Sequence, residues 1–156
     1  MAIASGASHS AEPMQPTPMP VSMVRKAEGF DAQIREQFER EQGHKATTHE
    51  LLEWLDRKSL AAKDLDDAER DLLVQSYGSV LGQLLVRELG GQWVLVPNHD
   101  NLPGVDLPRG KTAFVFNRAG RRIFESDRIG FVSFFAASER FARGNALPAH
   151  IEAYQR

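Results

Sequence analysis

Apolar residues return at helical spacing three times in the first ninety positions and at strand spacing immediately afterwards. Residues 22–41 carry Met23, Ala27, Phe30, Ile34 and Phe38 on one stripe, with Lys26, Glu28, Arg35, Glu36, Arg40 and Glu41 around it. This period of 3.6 predicts a first helix, stopped by Gly43. Thr47 and Glu50 form a T-x-x-E capping box that opens a short helix through Leu51, Leu52, Trp54 and Leu55, and Trp54 is expected to seal the core. Asp66 and Glu69 repeat the box ahead of a long amphipathic helix, in which Leu73, Tyr77, Leu81, Leu84 and Leu85 make the apolar face. Asp66, Asp67, Glu69 and Asp71 suit the positive end of its dipole. Gly90-Gly91 ends it.

Gly78 and Gly82 interrupt that helix. Each costs about 1 kcal/mol relative to alanine, so the pair calls for a reason. Four residues apart, they bare one face, which predicts close approach of another backbone. The alternative is a groove open to a ligand.

Past Gly91 the period changes. Trp93–Val96 reads as a strand ended by Pro97. Residues 97–110, PNHDNLPGVDLPRG, read as a long loop of the kind that often carries function. Lys111–Asn117 reads as a second strand, with Phe114 and Phe116 on one face. Ala119-Gly120 supplies a turn, and Arg121–Glu125 returns as the third strand of a hairpin. Residues 127–143 read as a helix capped by Ser126, although Phe131–Phe135 alone would also suit a buried strand. The sum is an α+β domain: N-terminal helices including a long central one, a small antiparallel sheet of about three strands, and a C-terminal helix. Its expected limits are 22–147, between a proline-rich disordered tail (1–21) and a C-terminal tail (148–156).

Composition excludes more than it suggests. With no cysteine there is no disulfide framework, thiolate metal site or cysteine nucleophile. No basic start leads into an apolar run, so no secretory signal is read, and no stretch is apolar enough for a membrane helix. A cytoplasmic location is expected. The net charge of −2 argues against bulk affinity for nucleic acid or membrane. The charge is unevenly spread: residues 1–91 hold 10 basic and 15 acidic side chains, residues 92–156 hold 9 basic and 6 acidic.

Candidate chemistry gathers in that basic part. His99 beside Asp100 is a conceivable base with its orienting acid, but adjacent residues rarely aim at each other, and no nucleophile motif accompanies them. Asn98, His99, Asp100 and Asp106 match neither a zinc signature nor a calcium loop. No catalytic residue, metal ligand or cofactor is assigned. Arg109, Lys111, Arg118, Arg121 and Arg122 cluster around the expected hairpin, where interleaved phenylalanines also resemble a stacking platform for nucleic acid. The near-neutral chain disfavours that reading. An acidic protein partner fits better, and the expected contact set is Trp93, Asn98, His99, Asp100, Arg109, Lys111, Arg118, Arg121 and Arg122.

The run YGSVLGQLLVRELGGQWV (Tyr77–Val94) is similar to a pattern in small bacterial domains of the DUF3806 type. There, a helix with paired small residues leads through Gly-Gly to a tryptophan-led strand. The likeness extends to about Phe124 and implies a fold, with no catalytic residues. Small α+β proteins of this kind also occur among immunity proteins of bacterial toxin systems. The expected function is therefore a non-enzymatic interaction domain, toxin-neutralising or regulatory, with a possible homodimer through a sheet edge. The alternative is a small enzyme or ligand-binding protein using the 97–110 loop.

Overall fold

The computed structural model describes residues 15–144. Expectations for residues 1–14 and 145–156 lie outside the described residues. The element order is β1 (Thr17–Pro18), α1 (Val21–Gln42), α2 (Thr48–Leu60), a 3-10 turn (Ala61–Asp64), α3 (Asp67–Leu89), β2 (Gln92–Val96), a second 3-10 turn (Pro97–His99), β3 (Leu102–Leu107), β4 (Lys111–Ala113), α4 (Val115–Phe124) and α5 (Phe131–Ala142). The strands form an antiparallel sheet in chain order. This is the α+β class expected, with four strands among the described residues where about three were foreseen.

Both capping boxes form. Thr47 accepts from the Glu50 amide while Glu50 accepts from Thr47, and Asp66 and Glu69 do the same at α3. Gly90, at φ 72°, ends α3 in the left-handed conformation. Yet α3 is not amphipathic in its middle. Every residue from Ser76 to Leu85 is buried, as a helix covered on all sides requires. Its polar members are satisfied internally. Ser76 and Ser79 donate to the carbonyls of Leu72 and Gln75 at 2.8 and 2.6 Å, and Gln83 accepts from the Trp93 indole at 2.8 Å.

The two interior glycines explain how the helix is covered. The Trp93 indole lies on Gly82, and the Phe116 ring lies on Gly78, where an added Cβ would stand 2.5 Å from its Cδ1. The rings stack on each other at 5.9 Å between centroids. The close neighbour is thus a pair of aromatic rings, from β2 and α4, and the glycine face is filled. On other sides, edge and tilted contacts run from Phe38 to Trp54, Tyr77 and Phe131 at 5.8, 6.5 and 6.1 Å, tying together α1, α2, α3 and α5.

Several expectations are corrected. Thr17–Pro18, assigned to a disordered tail, pairs with β2, and Met19 is buried with its amide donating to Trp93 at 3.1 Å. The 97–110 loop contains strand β3. Pro103 and Gly104 disguise it, but β4 pairs only with Val105–Leu107, so Pro103 has one strand neighbour rather than two. The Lys111–Asn117 strand stops at Ala113, and the third hairpin strand is absent. Val115, Arg118, Ala119, Arg122 and Ile123 are instead buried at helical spacing in α4, and Ala119-Gly120 lies inside that helix. Phe114 and Phe116 therefore part company: Phe114 packs with Val94 and Val96, Phe116 on Trp93. Residues 127–143 do form a helix, but it starts at Phe131. Its first amides donate to Asp56 on α2, at 2.7 Å from Phe131 and 3.2 Å from Val132, so Asp56 and not Ser126 is the cap.

Gly82→Ala is expected to unfold at lower denaturant by about 1–3 kcal/mol, because the indole has no room to retreat. Ala substitution at half-buried Gly120, where an added Cβ meets nothing within 4 Å, is expected to stabilise by a few tenths up to about 1 kcal/mol. Urea titration of the two variants checks both.

Candidate functional site

The nine residues expected to meet a partner do not share a surface. Asn98, His99 and Asp100 are exposed on the β2–β3 turn, where Asp100 takes a positive φ of 54° and the His99 ring stands edge-on to Phe114 at 5.3 Å. Arg109 lies in the β3–β4 turn, at the other end of a strand roughly 17 Å long. Lys111 is half-buried with its amine over Phe141 at 5.3 Å. Trp93 is inside the core. Only Arg121 on α4 is exposed among the three arginines of that helix.

Arg118 and Arg122 are corrected most sharply. Helical spacing sends both inward, and they are 2% and 9% exposed. Each finds an aspartate there. Arg118 pairs with Asp127 at 2.8 Å. Arg122 lies 3.5 Å from Asp56, donates to the Asp127 carbonyl at 2.6 Å and reaches the Ser59 hydroxyl at 3.3 Å. Two arginines and two aspartates thus bolt α4 to α2 and to the segment ahead of α5. Burial pushes the Asp127 carboxyl up, but hydrogen bonds from Arg118 and the Ile129 amide outweigh it, and the group rests below the usual aspartate range. These charges serve the interior.

The open surface lies elsewhere, along one flank of α1. Ala27, Asp31, Ile34 and Phe38 form the buried row of this helix. Asp31 is held there by Arg35 at 3.1 Å and by Arg87 of α3. Met23 and Phe30 sit at the edge of that row and leave a depression on either side of Phe30. The first, of about 300 Å³, is walled by Met19, Met23, Phe30, Leu102, Pro103 and Phe116. Ser79 and Gln75 lie at its α3 side, and Lys26 at the α1 side. The second is bounded by Phe30, Ile34, Leu72 and Leu73 among glutamines, with Glu36 and Arg40 also lining it. Met23, Leu72 and Leu102 are 38%, 57% and 37% exposed. From sequence, Met23 and Phe30 read as core; the available signal was that both are displaced to one side of the Ala27–Ile34–Phe38 row.

Among the described residues no group of three His, Asp or Glu is placed to hold a metal ion, and no helix is long and apolar enough to cross a membrane. No family model, curated protein or solved structure matches the chain.

Asp127→Asn is expected to lower stability at neutral pH by about 3 kcal/mol, since it removes the carboxylate paired with a buried guanidinium. The sign with pH follows from the depressed folded value. The carboxylate's contribution is full above about pH 4 and is lost as pH falls through the folded pKa. Denaturation measured from pH 7 to pH 2 should therefore show a flatter acid limb in the variant than in the wild type.

Proposed function

We propose that the protein is a non-enzymatic interaction domain that takes a partner along the α1 flank, over the strip from Leu102 and Met23 across Phe30 to Leu72. The observation that supports this is the exposure of Met23, Leu72 and Leu102 around two hollows that share the half-buried Phe30. Contiguous exposed apolar surface of this kind marks contact sites more often than it does ordinary surface. The basic hairpin that first motivated an acidic partner does not form, so the weight moves from charge to shape. The likeness to DUF3806-type domains rests on the run Tyr77–Val94 and remains part of this proposal. A toxin-neutralising or regulatory role in the bacterial cytoplasm is the finer form of the proposal. Strand addition is less favoured as a route to dimers. β1 has two residues including a proline, and β4 has three including a lysine, both devices that blunt an edge.

The double variant Met23→Glu/Leu72→Glu alters only exposed positions and is expected to keep thermal stability within about 1 kcal/mol. It should lose whatever protein the wild type captures from cell extract, whereas Arg109→Glu/Arg121→Glu should retain it. Quantitative mass spectrometry of the three eluates checks this; the reverse pattern would return the site to the basic end.

A further inference from the structure

We infer that the first hollow on the α1 flank is a binding site for a small amphipathic carboxylate: a medium-chain acyl acid with its tail in the hollow and its head at Lys26. This goes beyond the interaction reading and stands without it.

The walls decide the body of the ligand. Met19, Met23, Phe30, Leu102, Pro103 and Phe116 contribute thioether, aliphatic and aromatic surface. Methionine side chains adapt to a flexible tail. The polar atoms on the α3 side offer little competition. The Ser79 hydroxyl is already committed to the Gln75 carbonyl at 2.6 Å, and Gln75 is exposed to water. A ligand with polar groups along its length would bury them without partners, which costs free energy. Size decides the length. If each chain atom takes about the share of one water in the liquid, roughly 30 Å³, about 300 Å³ suits a chain of about ten atoms. The volume lies at the small end of the range for ligand sites.

The rim decides the head. Lys26 is exposed, its amine stands 6.0 Å from the centre of the Phe30 ring, and among the described residues no acid pairs with it. Three acids of α1 are engaged elsewhere, and Glu28, two positions from Lys26, is on a different face of the helix. Asp31 is buried between Arg35 and Arg87, Glu36 faces Arg40 at 3.9 Å, and Glu41 binds Lys58 at 3.0 Å. An anionic head at the edge of an apolar hollow complements an ammonium that no acid among the described residues pairs with. The ring below that ammonium belongs to Phe30, which also walls the hollow, so head and tail recognition meet at one side chain.

The probes are octanoate, decanoate, dodecanoate, decanol and decylamine, added to the intact chain and followed by heteronuclear NMR. Saturable shifts are expected at Ala27, Phe30, Ser79 and Phe116. Decanoate should bind about tenfold more tightly than octanoate, from two further buried methylenes. Dodecanoate should add little, because the hollow is full. Lys26→Gln is expected to weaken decanoate about threefold to fivefold, the scale of an exposed ion pair, and to leave decanol unchanged. Lys26→Glu should reverse the preference between decanoate and decylamine. No saturable response to decanoate would overturn the site. Equal affinity for the acid and the amine in the wild type, or a Lys26→Glu variant that still prefers the acid, would overturn the carboxylate assignment.

Discussion

Helix α3 can be wrapped on every side only because it lacks two side chains. At Gly78 and Gly82 the rings of Phe116 and Trp93 lie directly on its backbone. Through them the sheet and α4 reach the same rod that α1, α2 and α5 hold by an aromatic ladder. Two interior glycines weaken a helix intrinsically. Here the loss is offset by the large apolar area that two stacked aromatics remove from water. The same rings set the limits of the open surface: Phe116 presents one face to Trp93 and closes the first hollow beside Phe30.

The second organising feature is electrostatic and internal. α4 has three arginines within five positions, and a chain this close to neutral would advertise them if they faced water. Two do not. Arg118 and Arg122 turn inward and meet Asp127 and Asp56, and burying a cation demands such a partner. The positive balance of residues 92–156 is therefore partly spent inside the fold, leaving the exposed basic surface much thinner than the composition implies. Apolar surface on α1 stands out by comparison.

Where one local signal dictated one conformation, the sequence was readable. The two capping boxes, the stop at Gly90 and the switch to sheet at Trp93 are all decided within a few residues. The failures have a common cause. Pro103-Gly104 looks like loop chemistry, and its pairing with Leu95 and Val94 is a non-local fact. KTAFVF alternates as a strand should, yet the residues after Phe114 form a helix that buries Arg118 and Arg122 against Asp127 and the distant Asp56. The site failed for the same reason. An arginine among apolar residues reads as surface until its acid is located, and Phe30 reads as core until the neighbouring helix is seen to leave its edge uncovered.

Asp56 carries an implication for how the chain comes together. α5 has no acid in its first turn and no capping side chain of its own, and its leading amides close on a residue 75 positions earlier. Gly130 leaves room for that carboxylate, since a side chain there would collide with it. Twelve residues are too few to hold a helix in water unaided. The final helix is thus capped from outside itself, and its leading amides are satisfied only with α2 standing beside it. A contact of such long sequence separation carries a loop-closure cost, so the start of α5 depends on the tertiary fold rather than on its own sequence.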